Sequence, residues 1–301
     1  MSPCAGTPIG GGDFDGLLKV TRLNIVAIST LAPQHRFVLS KLHDASPLRH
    51  LIQPVWSAKP ASWRQYGKLL HSPFSVINRR LQSRYRNWRD DRLYRTLAER
   101  LEPAAAERFS DVEQSLVAID DFNRAANVDL IRQLQPDVIV TSGCPILKPE
   151  IFGLARLATI NIHWGIAPDY RGENTLFWPL YHNDEANVGV TIHKIDAGID
   201  TGPILAHGFV DCGPEDGEAS VTVKAAQVAA RLLPGIVAKI EETQSATGQV
   251  STEAGTLYLG RQRTWRHDLT HWWRRRRASD RRTIEAHDEI YIDKPASGLA
   301  S

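Results

Sequence analysis

Short apolar runs recur along the chain, each bounded by proline, glycine or polar residues. LNIVAIS (23–29) and HLIQPVW (50–56) are β-branched runs that predict strands. Between them, TLAPQHRFVLSKLHDA places Phe37, Val38 and Leu42 on a helical period. PDVIVTSG (136–143), ATINIHW (158–164), NVGVTIHKI (187–195) and PILAHGFVDC (203–212) predict four more strands. FNRAANVDLIRQLQ (122–135) has the period of an amphipathic helix, and CPILKPEIFGL predicts a loop and a short helix. RGENTLFWPLYHND (171–184) contains a helix that Pro179 shortens or kinks. A long helix is predicted over 218–242, interrupted at Pro234-Gly235. Residues 57–112 are weakly patterned and predict one or two Arg-rich helices ending at Glu102-Pro103. Strands alternating with helices predict an α/β fold with a mainly parallel sheet flanked by helices.

Polar residues interrupt this pattern where core residues are expected. Asn161 and His163 end an otherwise apolar strand, two positions apart. Residues i and i+2 of a strand point to the same side, so the amide and the imidazole point together. The carboxyl ends of strands are where open α/β sheets place ligands. His193 closes another strand, and Asp200 follows a short glycine-containing loop. Such groups suit acyl transfer to an amine. A carboxylate can relay the amine proton. An amide N–H and an imidazolium can stabilise an oxyanion. No G-x-S-x-G nucleophile is present. The first strand–helix turn has neither G-x-G-x-x-G nor a P-loop, so no dinucleotide or phosphate loop is signalled.

Composition narrows the class. Hydrophobic residues make up 42% and charged residues 23% of the 301-residue chain, ordinary for a soluble globular protein. The net charge of +2 is unevenly spread. Eight Arg stand against three acids between 79 and 100, and nine Arg against two Asp between 261 and 282. Both stretches are expected to be solvated, the second as a peripheral tail, so that a chain cut near 258 keeps its activity. That tail is the one segment through which a membrane surface is conceivable, and nucleic acid is not the expected partner. Residues 1–20 lack the basic start and apolar stretch of a secretory signal and predict a disordered leader. Cys4, Cys144 and Cys212 form neither a metal pair nor a disulfide framework. A cytoplasmic protein without a metal is expected.

From about 116 to 240 the chain resembles the 10-formyltetrahydrofolate-dependent formyltransferases, which include glycinamide ribonucleotide, methionyl-tRNA and sugar N-formyltransferases. The likeness rests on Asn161-Ile162-His163, on the proline loop from Pro168 to Tyr170-Arg171-Gly172, and on Gly189-Val190-Thr191. His193 and Asp200, flanking KIDAGI, complete it with the DTG at 200–202. The resemblance implies a Rossmann-like formyltransferase fold over 21–242, followed by a linker and basic extension over 243–301. It implies 10-formyltetrahydrofolate as cosubstrate and Asn161, His163 and Asp200 as the catalytic triplet. The folate would lie against Ser142, Gly143, Cys144, Ile146 and Leu147, and against Ile195, Asp196 and Gly198. Tyr170, Arg171 and His193 are assigned to the acceptor, although Tyr170 and Arg171 could instead brace their loop and His193 could orient Asp200. The phosphate loop of the glycinamide ribonucleotide enzyme and the barrel appendage of the tRNA enzyme have no counterpart in the pattern. The implied acceptor is therefore the primary amine of a small molecule, such as an amino sugar or biosynthetic intermediate. The alternatives are a formyltetrahydrofolate hydrolase and a non-catalytic folate-binding module. A homo-oligomer is compatible with all of these.

Overall fold

The computed structural model describes residues 22–56, 73–101, 108–253, 255–277 and 283–293. The predicted leader and the Glu102-Pro103 stop lie outside them. Ten strands are described: β1 (Ile25–Ser29), β2 (Leu48–Val55), β3 (Glu113–Ala118), β4 (Val138–Ser142), β5 (Ala158–His163), β6 (Tyr170–Gly172), β7 (Gly189–Lys194), β8 (Ile204–Phe209), β9 (Thr256–Tyr258) and β10 (His287–Ile290). Eight form one sheet in the order β10-β8-β7-β5-β4-β1-β2-β3, while β6 and β9 pair separately. From β3 through β5 every pairing is parallel. β7, β8 and β10 then add antiparallel pairings.

The central strands β1 and β4 are buried at every position, which explains their uninterrupted apolar sequence. Helices cover the sheet: α1 (Pro33–Ala45), α2 (Pro73–Arg100), α3 (Ala125–Leu134), the single-turn α4 (Pro149–Phe152), α5 (Phe177–His182), α6 (Glu218–Thr243) and α7 (Trp265–Arg277). The core joins Val38, Leu39 and Leu42 of α1 to Ala226, Leu233 and Val237 of α6 over Ala27, Val140 and Ile160 of the sheet. By length and composition α6 could cross a membrane, but residues along it, from Val221 to Ile240, are buried in this core.

Three features differ from the sequence expectation. α6 runs unbroken through Pro234. Pro234 and Gly235 lie on its outward side, half-buried and exposed, where a carbonyl freed by the proline can turn to water. β3 is an edge strand that was not expected, since Val117 alone of its residues is buried. The segment after 242 is built into the body: β9 pairs with β6, and β10 joins the main sheet beside β8.

The order of strands reverses direction at β1, which lies between β4 and β2. Loops leaving β1 and β4 diverge there, the usual crevice for a ligand in an open α/β sheet. Gly143, at φ +62°, allows the loop after β4 to cross His35: a Cβ there would meet the imidazole at 2.1 Å.

Candidate active site

Strand register brings the polar residues together. Thr141, Asn161 and His193 lie level across β4, β5 and β7. The Thr141 hydroxyl donates to Asn161 Oδ1 at 2.8 Å, which fixes the amide so that its NH₂ faces away from β4. Asn161 Nδ2 then lies 3.2 Å from His193 Nε2 and 3.5 Å from Asp200 Oδ1. His193 Nδ1–H donates to the Lys194 carbonyl at 2.8 Å, fixing the ring. Asp200 sits at φ +51° in the β7–β8 loop and turns its carboxylate back over the strand ends. The Gly172 N–H donates to its Oδ2 at 2.8 Å.

His163 Nε2–H donates to the Tyr170 carbonyl at 2.7 Å, which leaves Nδ1 3.2 Å from Asp200 Oδ2. His193 Nε2 approaches Asp200 Oδ1 at 3.4 Å. Burial alone would raise the Asp200 carboxyl, but His163, His193 and the Gly172 N–H outweigh it and hold it at about 2. Burial lowers the His163 imidazole below its ordinary value, opposed by Asp200 and the Tyr170 carbonyl. A neutral His163 bearing its proton on Nε2, with a fixed anion beside Nδ1, is a place where a proton can land.

These groups open on a cavity of about 630 Å³. One wall is formed by Gly143, Cys144, Ile146, Leu147, Ile195, Asp196 and Gly198, so the two loops expected to hold folate do face one space. Asn123 pins the first loop by donating to the Ile146 carbonyl at 2.9 Å and accepting from Lys148 N–H at 2.9 Å. Burial pushes the Cys144 thiol up to about 12, so it is a small apolar contact and not a nucleophile. Ile146 is 72% exposed at the cavity mouth, an apolar side chain suited to covering a flat ring. Asp196 accepts from Gly198 N–H and from the Thr201 hydroxyl, closing its own turn.

Three expected contacts fall elsewhere. Ser142 is wholly buried in β4 and does not line the cavity. Tyr170 donates its hydroxyl to Asp184 at 2.7 Å and stacks on Tyr258. Arg171 donates to the carbonyls of Gly255 at 2.9 Å and Ile199 at 3.4 Å. Both brace the loop; neither lines the cavity. His193 does line it, beside Asp200.

The opposite wall was not foreseen. Arg86, Arg89, Asp90 and Tyr94 of α2 face the cavity with Glu218 of α6. Arg89 is ion-paired to Asp90 at 2.7 Å, yet its Nη1 is buried without a hydrogen-bond partner. Trp164, which stacks on His35 and lines the cavity, likewise has a buried Nε1–H without a partner. Buried donors left over in this way fit a cavity whose ligand supplies acceptors. Among the described residues, no cluster of three or more potential metal ligands occurs.

Residues 96–237, just under half of the chain, match the family model described as formyl transferase. A methionyl-tRNA formyltransferase from Burkholderia mallei is 30% identical over 164 residues, 54% of this chain and 49% of that protein. One from Chlorobium chlorochromatii is 29% identical over 150 residues, 48% of each chain. The chain thus spans about half the length of the curated relatives it matches. Among solved structures, a likely sugar N-formyltransferase from Mycobacterium tuberculosis aligns with a TM-score of 0.53 at 16% identity. That alignment covers 91% of this chain and 100% of the other. At that identity the likeness establishes the fold.

Proposed function

We propose that this chain transfers the formyl group of 10-formyltetrahydrofolate to the primary amine of a small molecule, an amino sugar or a related biosynthetic amine. The observation that carries this reading is the Asp200 carboxylate held between His163 and His193 beside Asn161, on one cavity with the two apolar loops. The fold match to a likely sugar N-formyltransferase, over 91% of this chain, supports the choice of acceptor class.

In this reading the folate ring lies between Leu147, Ile146 and Ile195, and the acceptor enters past Arg86 and Arg89. The amine nitrogen attacks the formyl carbon, and the carbonyl electron pair moves to oxygen. Asn161 turns the N–H of its longer contact, 3.5 Å from Asp200 Oδ1, to donate to that oxygen and keeps the other on His193 Nε2. The amine proton passes to His163 Nδ1, where Asp200 stabilises the imidazolium. Collapse of the tetrahedral adduct breaks the bond to the folate nitrogen, which leaves with that proton.

The test is a screen of amines with 10-formyltetrahydrofolate, following free tetrahydrofolate and acceptor mass together. One formyl mass gained per folate released is the expected result. Folate turnover without a formylated product would make the protein a hydrolase. Absence of binding to 5-formyltetrahydrofolate at millimolar ligand would remove the folate reading.

A further inference from the structure

The outward faces of α2 and α7 carry large apolar side chains. On α7, Trp265, Leu269, Trp272 and Trp273 are 44%, 55%, 50% and 48% exposed. On α2, Ile77, Leu81 and Trp88 are 52%, 61% and 53% exposed. Spacings of four, seven, eight and eleven residues put each set on one face of its helix. The two helices adjoin, since Asn78 and Gln82 of α2 line one cleft with Trp265, Arg266 and Thr270 of α7.

The other faces are committed to the protein. Arg86, Arg89 and Leu93 of α2 face the cavity, and Leu97 is buried. His267 and His271 of α7 pack edge-on against Trp178 and Phe177. The apolar faces are therefore held outward by a fixed body.

Arginine accompanies three of the exposed indoles. Arg92 lies 5.8 Å from the Trp88 ring centre, Arg266 lies 5.5 Å from Trp265 and Arg276 lies 4.3 Å from Trp272. The described acid on α7, Asp268, is taken by Arg263 and does not offset them. Indoles with cations beside them suit the headgroup level of a bilayer, where the ring is half-immersed and the guanidinium meets phosphate. The aliphatic members decide between bilayer and nucleic acid. Ile77, Leu81 and Leu269 have no flat face on which a base can stack, but they gain by entering hydrocarbon.

We propose that the α2–α7 face docks on a membrane surface rich in anionic lipid. One side of α2 then rests on the bilayer while the other forms the acceptor wall of the cavity. This goes beyond the sequence expectation of a peripheral basic tail, because half of the surface lies on α2.

The experiment is co-sedimentation of the full chain with vesicles of phosphatidylcholine, and of phosphatidylcholine mixed with phosphatidylglycerol. Binding is expected to the mixed vesicles only and to weaken steeply with salt. The triple change Leu269→Ser, Trp272→Ser and Trp273→Ser should lower partitioning by about tenfold or more. The independent pair Ile77→Ser and Leu81→Ser should weaken it on the other helix, which keeps the test decisive if the triple variant fails to fold. Failure to bind mixed vesicles at low salt would overturn the proposal. So would unchanged binding by both folded variants, or tighter binding to transfer RNA than to vesicles.

Discussion

Asn161, His163 and Asp200 act on one transition state in the proposed reaction, and that makes a quantitative forecast. Asn161→Ala removes an oxyanion donor and should cut turnover on the order of a hundredfold or more. His163→Ala and Asp200→Asn should each cost about a hundred- to ten-thousandfold, with 5-formyltetrahydrofolate affinity kept within a few-fold. Because His163 Nδ1 takes the amine proton and Asp200 Oδ2, 3.2 Å away, stabilises the imidazolium so formed, the double variant should cost much less than the product of the singles. Near-normal turnover by folded Asp200→Asn protein would end the assignment. The pH profile gives a second forecast. Burial places the His163 value below its ordinary 6.5, and the Asp200 carboxylate pulls it upward. A neutral His163 is required to take the proton, so the acid limb of kcat/KM should lie below pH 6.5. Removing the carboxylate charge in Asp200→Asn should move that limb further down. An acid limb above pH 6.5 would assign it to some other group.

At the level of elements, what the sequence made legible depended on where burial left a pattern. β1, β4, β5, β7 and β8 are buried along nearly their whole length, so their apolar runs announced them. The i, i+2 spacing of Asn161 and His163 was legible for the same reason: polar groups stand out in a buried strand. β10 was illegible because HDEI is exposed at all four positions and is held by pairing with β8, not by an apolar face. The α2 wall of the cavity was hidden differently. Arg86 and Arg89 belong to an evenly charged run, and only the rotation of α2 against the sheet separates them from solvated neighbours such as Arg84 and Arg92. Once an acceptor is known, Arg86→Ala should raise its KM roughly ten- to hundredfold if its guanidinium meets an acceptor oxygen. Folate affinity should be unchanged; an unaltered KM would place the acceptor elsewhere. The β6 segment makes the opposite forecast. Tyr170→Phe loses the bond to Asp184 but keeps the backbone carbonyl that holds His163. Stability to urea should fall by about 1–3 kcal/mol while turnover per folded molecule stays near normal. A large loss of turnover without loss of stability would return Tyr170 to the acceptor site.

For the molecule as a whole, the question is whether the segment after 242 is an appendage. Arg263, with its side chain 3% exposed, donates to both carboxylate oxygens of Glu218 at 2.6 and 2.7 Å, and also pairs with Asp268. Its guanidinium lies 3.6 Å from the ring centre of Phe177. Glu218 opens α6, the main core helix, and lines the cavity. A single side chain from the C-terminal segment therefore ties α5, α6 and α7 together at the edge of the cavity. Burial alone would raise the Glu218 carboxyl, but Arg263 outweighs it and holds it below the usual range. Arg263→Ala leaves that carboxylate without its countercharge and should cost about 3–5 kcal/mol. Replacing both partners by Met should recover a large part of the loss, because an apolar pair of similar volume carries no uncompensated charge. A chain cut near 258 lacks Arg263, α7 and β10 together, so it should fail to fold stably and lose turnover, contrary to the expectation from sequence. Urea unfolding of the two variants beside the truncated chain checks this. A truncated chain that unfolds at the same urea concentration as the intact protein would show that the segment is an appendage after all.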